Sequence, residues 1–579
     1  MSCSTKFEWN NLLLGVTLSN NNPNKSENIR CSDTRSIFKM DFDRVCRSSS
    51  FRRLQDKAQV FPLKRGDYLR TRLTHSIEVM AIAESLGDYA IQIILSKEGK
   101  DADNIENLYE IPTILRTASL LHDLGNPPFG HISEDLIRTW FQNNRDNIHC
   151  NKGFGDKSSC PFKEYLLKND RSDKKIGLFS DSYISDFLKF DGNAQVLRIA
   201  THLHNTGMGN TGMNLSLPVL ATIIKYPESA DNDQHQKVGF FKSEEDVYRE
   251  IQNKLKLNNR RHPLVYLLEA SDDIAYLISD LEDAVQKDLL TSEDIGNELY
   301  SVLSDEFWKY MNLGINKKFM SKMNEAYYLA QELESIVKSE MGENYVFNCR
   351  YKISVNIWKV IFNKFFRYVN SLGNKSDSLS DLLFLFEAID IYNKFIVSNS
   401  KSKRDSESIR KILLHYRGML IEGAKTGFEK EYSKIMNGEL GDTNLIEIGP
   451  CAKLTAVLRI ILNKYLYYCP EIIETKIRVC KIIPSMLDHF SNCMLHGELD
   501  VRKDTVEYIS YLLVSSNFRD VEESSLNKFK RDISKGVTMK PEDICGGCIY
   551  RKLQLILDFI SGMTDSYATE IYENITAMH

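Results

Sequence analysis

The stretch Leu120-Leu121-His122-Asp123-Leu124-Gly125-Asn126-Pro127-Pro128-Phe129-Gly130-His131 decides how the rest of this chain is interpreted. An apolar run ends in an adjacent histidine and aspartate, and a segment rich in glycine and proline leads to a second histidine. Burying a carboxylate beside an imidazole costs free energy unless a partner neutralises the charge. A divalent metal ion would do so. The glycine and proline break would turn His131 back towards the same cleft.

Length and charge set the outer limits of the interpretation. A chain of 579 residues is too long for one simple core, so we expect two subdomains or one large domain with an appendage. A formal net charge of −5 does not indicate a nucleic-acid binder. The chain has no uncharged apolar run of about 18 residues, and its first residues lack a secretory signal. We therefore expect a cytoplasmic protein that does not associate with membranes.

The twelve cysteines are mostly scattered singly, as expected for reduced thiols rather than for a disulfide framework. The exception is the single CxxC formed by Cys545 and Cys548, whereas a structural zinc site needs four ligands. Cys150 and Cys160, with His149, form a looser group in a polar segment. We predict that neither group binds a metal.

Hydrophobic residues recur with the period of a helix along most of the chain. Strand-like alternation is scarce, so the predicted fold class is all-α. The predicted helices cover about 68–97, Pro112–Asp123, from about Ser133 onward, Ala194–His204, Pro218–Lys225, 263–290 and 546–576.

Polar, low-complexity stretches suggest how the chain is divided. We expect a partly ordered segment at 1–30, a catalytic core at 31–300 with a polar insert at about 142–182, and a helical region at 301–579 that packs on the core. Within the last region, polar linkers are predicted near 371–380, 397–408 and 436–444.

Two further residues extend the His-Asp pair into a metal-binding set. His75 lies within a predicted helix, and Asp272 lies on another whose neighbouring positions are apolar. With His122 and Asp123 they supply two imidazoles and two carboxylates, a donor set that suits several divalent metals without choosing among them. The alternatives are that His75 is an ordinary core histidine and that Asp272 is a helix-surface acid.

The order H…HD…D of these ligands resembles the signature of the HD-domain metal phosphohydrolases. Longer blocks, in the same order along the chain, resemble bacterial deoxyguanosine triphosphate triphosphohydrolases. These blocks are 51–63, 71–75, 122–131, 191–195, 225–227, 239–241, 269–284 and 560–568. Three departures stand out: Ala58 replaces a usual threonine, Asp191 replaces a usual glutamate, and the 142–182 insert and much of 370–540 match no block.

The resemblance implies an HD-domain metal phosphohydrolase helical core with a C-terminal helical extension. It implies hydrolysis of dGTP, or of other dNTPs, to a deoxynucleoside and inorganic triphosphate. The expected cofactor is a divalent metal, Mn or Mg first, with Fe, Co or Zn as alternatives. His75, His122, Asp123 and Asp272 would hold it. The resemblance also implies a homo-oligomer, with a hexamer as one size to test, and a single-stranded DNA partner, for which the net charge gives no support.

Two other functions remain open at this point. One is an HD-family nucleotide phosphohydrolase of broader substrate range. The other is a DNA-responsive regulatory protein that kept the fold and lost catalysis, against which the complete ligand set and His131 argue.

His131 and Glu134 are spaced i, i+3 and so share one face of a helix. By resemblance they match the family's catalytic histidine and its carboxylate partner. We expect His131 to handle the proton at the reacting centre and Glu134 to orient it and raise its basicity. The alternative for Glu134 is a first-turn acid favoured by the helix dipole.

A spacing of four residues stacks Asp272, Tyr276 and Asp280 along one helix face. Tyr276 would pack against the deoxyribose and exclude a 2′-hydroxyl, and Asp280 would accept a hydrogen bond from the 3′-hydroxyl. The alternatives are core packing for Tyr276 and simple solvation for Lys237. Residues expected near the sugar, phosphates or pocket wall, most of them by resemblance, are Gln59, Arg72, Asn193, Lys225, Tyr226 and Lys237.

Overall fold

The computed structural model describes most of the chain. Outside the description are residues 1–5, 19–33, 64–67, 149–180, 205–211, 233–236, 313–376, 397–404, 497–504, 535–540 and 578–579. Most of the predicted polar insert and the Asn-rich N-terminal stretch fall in these gaps, as do Cys150, Cys160 and His149. The side chain of Cys545 is also outside the description, so the predictions on both cysteine groups are not tested.

Helices make up most of the described residues, which contain isolated bridges but no strand, and the predicted all-α class is confirmed. In the first half of the chain the helices are α1 Trp9–Leu12, α2 Ile37–Arg47, α3 Ser49–Arg53, α4 Arg72–Glu98, α5 Ile111–Leu121, α6 His131–Asn144, α7 Asp181–Leu188, α8 Gly192–Arg198, α9 Leu217–Ile223, α10 Glu245–Lys254 and α11 Pro263–Gln286.

The second half continues in the same way. Its helices are α12 Ser292–Asn312, α13 Asp377–Ile396, α14 Asp405–Met436, α15 Leu445–Ile448, α16 Ala452–Ile461, α17 Pro470–Ser491, α18 Val506–Leu513, α19 Ser516–Ser534, α20 Pro541–Ser561 and α21 Asp565–Ala577. Short π-helical turns extend α8, α16 and α17 at their C-terminal ends.

Helix α4 begins with a capping box, in which the Thr71 side chain accepts from the Thr74 N–H and Thr74 reciprocates. This cap fixes the first turn, which carries His75. The buried side of α4 packs against α5 and α11. Helix α4 therefore places its first turn between the end of α5 and the middle of α11.

Helix α11 is the central element of the core. The buried His262 caps its N-terminus by accepting from the Leu264 N–H, and its other ring nitrogen lies 3.1 Å from the Leu12 carbonyl oxygen. Helices α4 and α14 pack against α11. Since α14 lies beyond residue 300, the C-terminal region reaches the centre of the molecule, although the predicted domain division itself stays a prediction.

Three local predictions differ from the structure. His122 and Asp123 lie in a turn after α5 rather than on the helix, because α5 ends at Leu121. The predicted 546–576 helix is two helices, α20 and α21, separated at 562–564. The linkers predicted at 371–380 and 397–408 end earlier than expected, since α13 begins at Asp377 and α14 at Asp405.

Among the described residues one helical stretch, Arg72–Asn104, is long and apolar enough to cross a membrane. Half of its most apolar window is buried inside the protein. A core helix meets the same criterion, so this stretch is weak evidence for a membrane span.

Candidate metal centre and active site

His75 reaches the centre from the first turn of α4. Its side chain is buried, and its Nε2 atom lies 3.1 Å from Oδ1 of Asp272 on α11. The His75 and His122 rings are tilted against each other with their centroids 5.6 Å apart. The structure therefore brings together three of the predicted ligands from three separate parts of the chain.

The ring of His122 is oriented by the backbone of α5. Its Nδ1 atom lies 2.6 Å from the Ser119 carbonyl oxygen, which can only accept, so Nδ1 carries a proton and donates. Nε2 faces Asp272 Oδ1 at 3.3 Å and Asp123 Oδ1 at 3.7 Å, and it has no partner with hydrogen-bond geometry. Although burial disfavours the imidazolium, the charges of Asp123 and Asp272 raise the pKa of His122.

Asp123 is held by two donors that leave it facing the cluster. Arg72 Nη1 donates to its Oδ2 atom at 2.9 Å, and the Asn126 amide donates to Oδ1. Burial alone would raise the pKa of Asp123, but the charge of Arg72, followed by those of His122 and His75, holds it below its usual range. Arg72 was predicted to reach a phosphate. It is buried in this ion pair, and the phosphate contact stays a prediction.

Asp272 divides its two oxygens between a cation and the imidazoles. Lys225 Nζ donates to Oδ2 at 2.9 Å, and Oδ1 faces both histidines. Burial opposes the ionised carboxylate, but Lys225 and then His122 keep the pKa of Asp272 well below its usual value. Lys225 therefore holds a predicted ligand in place, and its predicted phosphate contact is not tested.

The residues present fit a divalent cation. One ligand atom from each of His75, His122 and Asp123 lies within 4.8 Å of the others, and Asp272 Oδ1 lies close to both imidazoles. A lone pair on His122 Nε2 that faces carboxylate oxygens is unfavourable unless a proton or a cation lies between them. Mixed nitrogen and oxygen donors are the type that Mn, Fe, Co, Zn or Mg accepts, and the geometry does not choose one.

A proton-transfer pair lies at the start of α6. His131 Nδ1 lies 3.1 Å from Glu134 Oε2, and the His131 side chain is 82% exposed. The hydrogen bond to Glu134, together with the charge of that carboxylate, raises the pKa of His131. Since Nδ1 is held by Glu134, Nε2 is the nitrogen free to exchange a proton with a bound molecule.

Glu134 is positioned in turn by the first residue of α8. The Gly192 N–H donates to Glu134 Oε1 at 3.0 Å. A Cβ atom at Gly192 would lie 2.8 Å from that same oxygen and 2.5 Å from Asn126 Oδ1, so a larger residue here would displace the Glu134 and Asn126 side chains. Burial alone would raise the pKa of Glu134, but the hydrogen bond from His131 holds this pKa below its usual value. Sequence reasoning did not assign this role to Gly192.

Asn193, expected at the pocket wall, contacts the residue before α8, and its place at the pocket wall stays a prediction. Both its backbone N–H and its side-chain amide donate to Asp191 Oδ1 at 2.8 Å. Asp191, the aspartate that replaces a usual glutamate, therefore caps the N-terminus of α8.

The other predicted sugar contacts lie along α11. The Tyr276 hydroxyl accepts from Arg459 Nε at 3.1 Å, and Asp280 Oδ2 accepts from the Tyr467 hydroxyl at 2.8 Å. Asp280 Oδ1 is buried without a hydrogen-bond partner. Burial raises the pKa of Asp280 to about 7, although Tyr467 lowers it. Sequence reasoning missed Arg459 and Tyr467, which lie in the stretch that resembles no family block.

The remaining predicted residues are Gln59, Tyr226 and Lys237. Gln59 has a buried Oε1 atom without a partner. The exposed Lys237 donates to the Tyr226 hydroxyl at 3.1 Å and lies over its ring. Tyr226 and Lys237 line a cavity of about 540 Å³ together with Arg260 and Arg261.

Comparison with known proteins defines the class first. A family model described as HD domain matches residues 72–152. The matched span contains His75, His122, Asp123 and the His131–Glu134 pair, whereas Asp272 lies outside it. The chain is therefore an HD-domain protein with a metal-dependent hydrolase site.

Similarity over the full length narrows the class. Deoxyguanosinetriphosphate triphosphohydrolase-like proteins of Listeria monocytogenes and Listeria innocua are each 30% identical, over 99% of this chain and 100% of the relative. A deoxyguanosinetriphosphate triphosphohydrolase of Yersinia enterocolitica is 25% identical over 93% of this chain and 94% of its own. The chain belongs to the deoxyguanosinetriphosphate triphosphohydrolase-like family, which confirms the resemblance and makes it a nucleotide phosphohydrolase.

Proposed function

We propose that this protein hydrolyses dGTP, and other dNTPs less well, to the deoxynucleoside and inorganic triphosphate. One observation carries the proposal. Asp272 Oδ1 converges on the nitrogens of His75 and His122, and Asp123 faces the same centre. The names of the relatives supply the substrate, since each includes deoxyguanosinetriphosphate triphosphohydrolase.

His75, His122, Asp123 and Asp272 would hold the metal, with Mn or Mg proposed. When bound, the metal would polarise a phosphoryl oxygen and offset its negative charge. In the proposed reaction water attacks the α-phosphorus, and the bond from that phosphorus to the 5′ oxygen breaks. His131 Nε2 exchanges the proton at this centre, while Glu134 holds the opposite side of the ring.

Selection of the sugar would depend on α11. Tyr276 is fixed through its hydroxyl by Arg459, so its ring cannot turn freely to admit a 2′-hydroxyl. Asp280 has one engaged oxygen and one buried, unpaired oxygen, which can accept from the 3′-hydroxyl. A nucleotide without a 3′-hydroxyl would leave this buried oxygen unpaired and would be rejected strongly, whereas rejection of ribonucleotides would depend on Tyr276.

The decisive experiment identifies the products. Purified protein is dialysed against EDTA, divided into Mn, Mg, Fe, Co and Zn arms, and incubated with each dNTP and NTP. Chromatography then separates the products. Deoxyguanosine with intact triphosphate supports the proposal, and the metal-free sample is the control. A monophosphate with pyrophosphate, or similar rates with every nucleotide, supports the alternative of a broader HD-family nucleotide phosphohydrolase.

Assembly and partners are part of the same proposal. We propose a homo-oligomer, with a hexamer as one possible size, and a cytoplasmic location. Light scattering coupled to chromatography measures the mass against the 66.7 kDa of one chain. Titration with single-stranded DNA, followed by anisotropy and by triphosphate release, tests the proposed DNA partner; DNA binding by a protein without turnover would favour the regulatory alternative.

A further inference from the structure

The turn between the metal-ligand pair and His131 is held by the C-terminal end of the chain. Phe129 and Gly130, the last two residues of this turn, have φ values of 66° and 70°. The left-handed region costs a non-glycine residue about 1–2 kcal/mol, so Phe129 needs surroundings that hold it there. His131 follows directly, and its exposed ring has little packing of its own to fix it.

Asp565, the first residue of α21, supplies that hold. Its Oδ1 atom accepts from the Phe129 N–H at 2.8 Å, and its Oδ2 atom accepts from the Ala58 N–H at 3.0 Å. The side chain is buried. One carboxylate therefore joins the turn that carries His131 to the segment that carries Gln59.

The segment that contains Ala58 is held next to the first turn of α4 by backbone pairing. Ala58 pairs with Thr71 in an isolated antiparallel bridge, and the Arg72 N–H donates to the Lys57 carbonyl at 2.8 Å. Thr71 caps α4, whose first turn carries His75. A displacement of Ala58 would therefore move Gln59 relative to the ligands.

The buried Lys57 is a second link between the turn before His131 and the C-terminal end of the chain. Lys57 Nζ donates to the Asn126 carbonyl at 2.6 Å and to the Ser561 carbonyl at 2.8 Å. Asn126 lies in the turn and donates to Asp123, whereas Ser561 ends α20. The junction between α20 and α21 is thus connected to the turn directly at Phe129 and, through Lys57, at Asn126.

We propose that Asp565 is a positioning residue for His131: its carboxylate, by accepting from both Phe129 and Ala58, sets how His131 stands relative to Gln59 across the cleft. This inference rests on the proposed hydrolase function. Helix capping does not explain the contacts, because the Thr564 hydroxyl accepts from the Tyr567 N–H at the start of α21. Asp565 touches no predicted ligand, so it would act through the backbone of the turn.

The test is a double-mutant cycle of Asp565→Asn with His131→Ala, with kcat and KM measured for dGTP. Asparagine keeps the size of the side chain but offers one acceptor oxygen instead of two. We expect kcat to fall about 10-fold or more, since small misplacements of a reacting group are costly. In the His131→Ala background the same change should lower kcat less than about 2-fold. Equal losses in both backgrounds would mean a merely structural role and would overturn the inference.

Hydrogen exchange gives a second readout that does not need turnover. In Asp565→Asn, amide exchange should rise in the peptides that contain Phe129 and Ala58. Ser566→Ala is the matched control, because it removes a bond from the same helix to Asp56 and leaves both amides alone. Unchanged exchange at both amides would overturn the inference. A wild-type protein that released no triphosphate would overturn the proposed function alone, and the exchange comparison would still decide whether Asp565 holds the turn.

Discussion

The two walls of the site are built differently. One wall, which we call the turn side, comprises residues 72–134 and carries three of the predicted ligands with His131 and Glu134. Its metal-ligand pair is oriented from within the same segment: Ser119 orients His122, and Arg72 holds Asp123. Gly192 and Asp565 add contacts to Glu134 and Phe129 from outside the segment. The other wall, the sugar side, is α11 from Asp272 to Asp280. Its side chains are oriented from far away in the sequence, by Arg459 and Tyr467.

This difference separates chemistry from selectivity. The turn side contains three of the four predicted metal ligands and the His131–Glu134 pair, and the family model matches this part of the chain. The sugar side supplies the fourth ligand, Asp272, and beyond it depends on the C-terminal region, which the family model does not match although the relatives align over it. We therefore expect changes on the turn side, or at Asp272, to stop turnover, and changes at Tyr276, Asp280 and their partners to alter which nucleotide is preferred.

The largest effect should come from the turn side itself. Asp123→Asn should lower kcat about 1000-fold or more, because a metal ligand is lost. The introduced asparagine still offers one oxygen to Arg72, so the thermal midpoint of unfolding should change little. Circular dichroism with and without Mn measures this midpoint. The matched control is Asp103→Asn, which changes an exposed acid that also lies within residues 72–134. Near-normal turnover in Asp123→Asn would refute the metal assignment.

Asp280 tests whether the sugar side is under electrostatic strain. Its pKa is raised from 3.8 to about 7 by burial, so the folded protein binds this proton more tightly than the unfolded chain does. The stabilisation is complete below about pH 3.8 and is lost as pH rises towards 7. Between pH 5 and pH 8 the wild type should lose about 2–3 kcal/mol more free energy of unfolding than Asp280→Asn. Urea titrations at both pH values measure this, and parallel curves would contradict it.

The turn side was largely predictable because its signals are local. An adjacent His-Asp pair, a glycine and proline break and an i, i+3 acid are visible in one short stretch. The exact end of α5 was not visible, because an apolar run does not show whether its last residues are helical or in a turn. Arg459 and Tyr467 gave no signal at all, since a surface-like arginine and a tyrosine become site residues only when α16 and the turn after it pack against α11.

Glu134→Gln should have a smaller effect than loss of a metal ligand. Glutamine keeps an oxygen for the Gly192 N–H but loses the charge that orients His131, so kcat should fall about 10- to 100-fold with KM little changed. The kcat and KM values for dGTP measure this. The control is Asp135→Asn, which changes an exposed acid one residue further along α6. Glu244→Gln would not serve as a control, because Glu244 is buried and accepts a hydrogen bond from Arg198. A loss seen only in KM would place Glu134 in substrate binding instead.

Tyr467→Phe should sharpen the contrast between the two walls. It removes one hydrogen bond to Asp280 and keeps the ring, which typically costs about 1–2 kcal/mol at a buried carboxylate. We expect the ratio of kcat/KM for dGTP over 2′,3′-dideoxy-GTP, which lacks the 3′-hydroxyl that Asp280 would bind, to fall about 5- to 10-fold, with kcat for dGTP nearly unchanged. Competition assays with both nucleotides measure the ratio. If kcat fell as far as in Glu134→Gln while the ratio stayed constant, the division of labour between the walls would be wrong.

The smallest effect is expected at Lys237, at the outer edge of the site. Its ammonium is exposed and contacts Tyr226 through a hydrogen bond and the ring face. Exposed charges contribute little to stability, about 0–1 kcal/mol, because water screens them. Lys237→Ala should therefore raise KM for dGTP about 2- to 5-fold and leave kcat unchanged, as for a group that binds ground state and transition state alike. Since screening weakens such a contact, the KM difference between variant and wild type should also shrink as salt is raised from low to high concentration. A change in kcat, or a KM difference that does not depend on salt, would mean that Lys237 acts on the reacting phosphate.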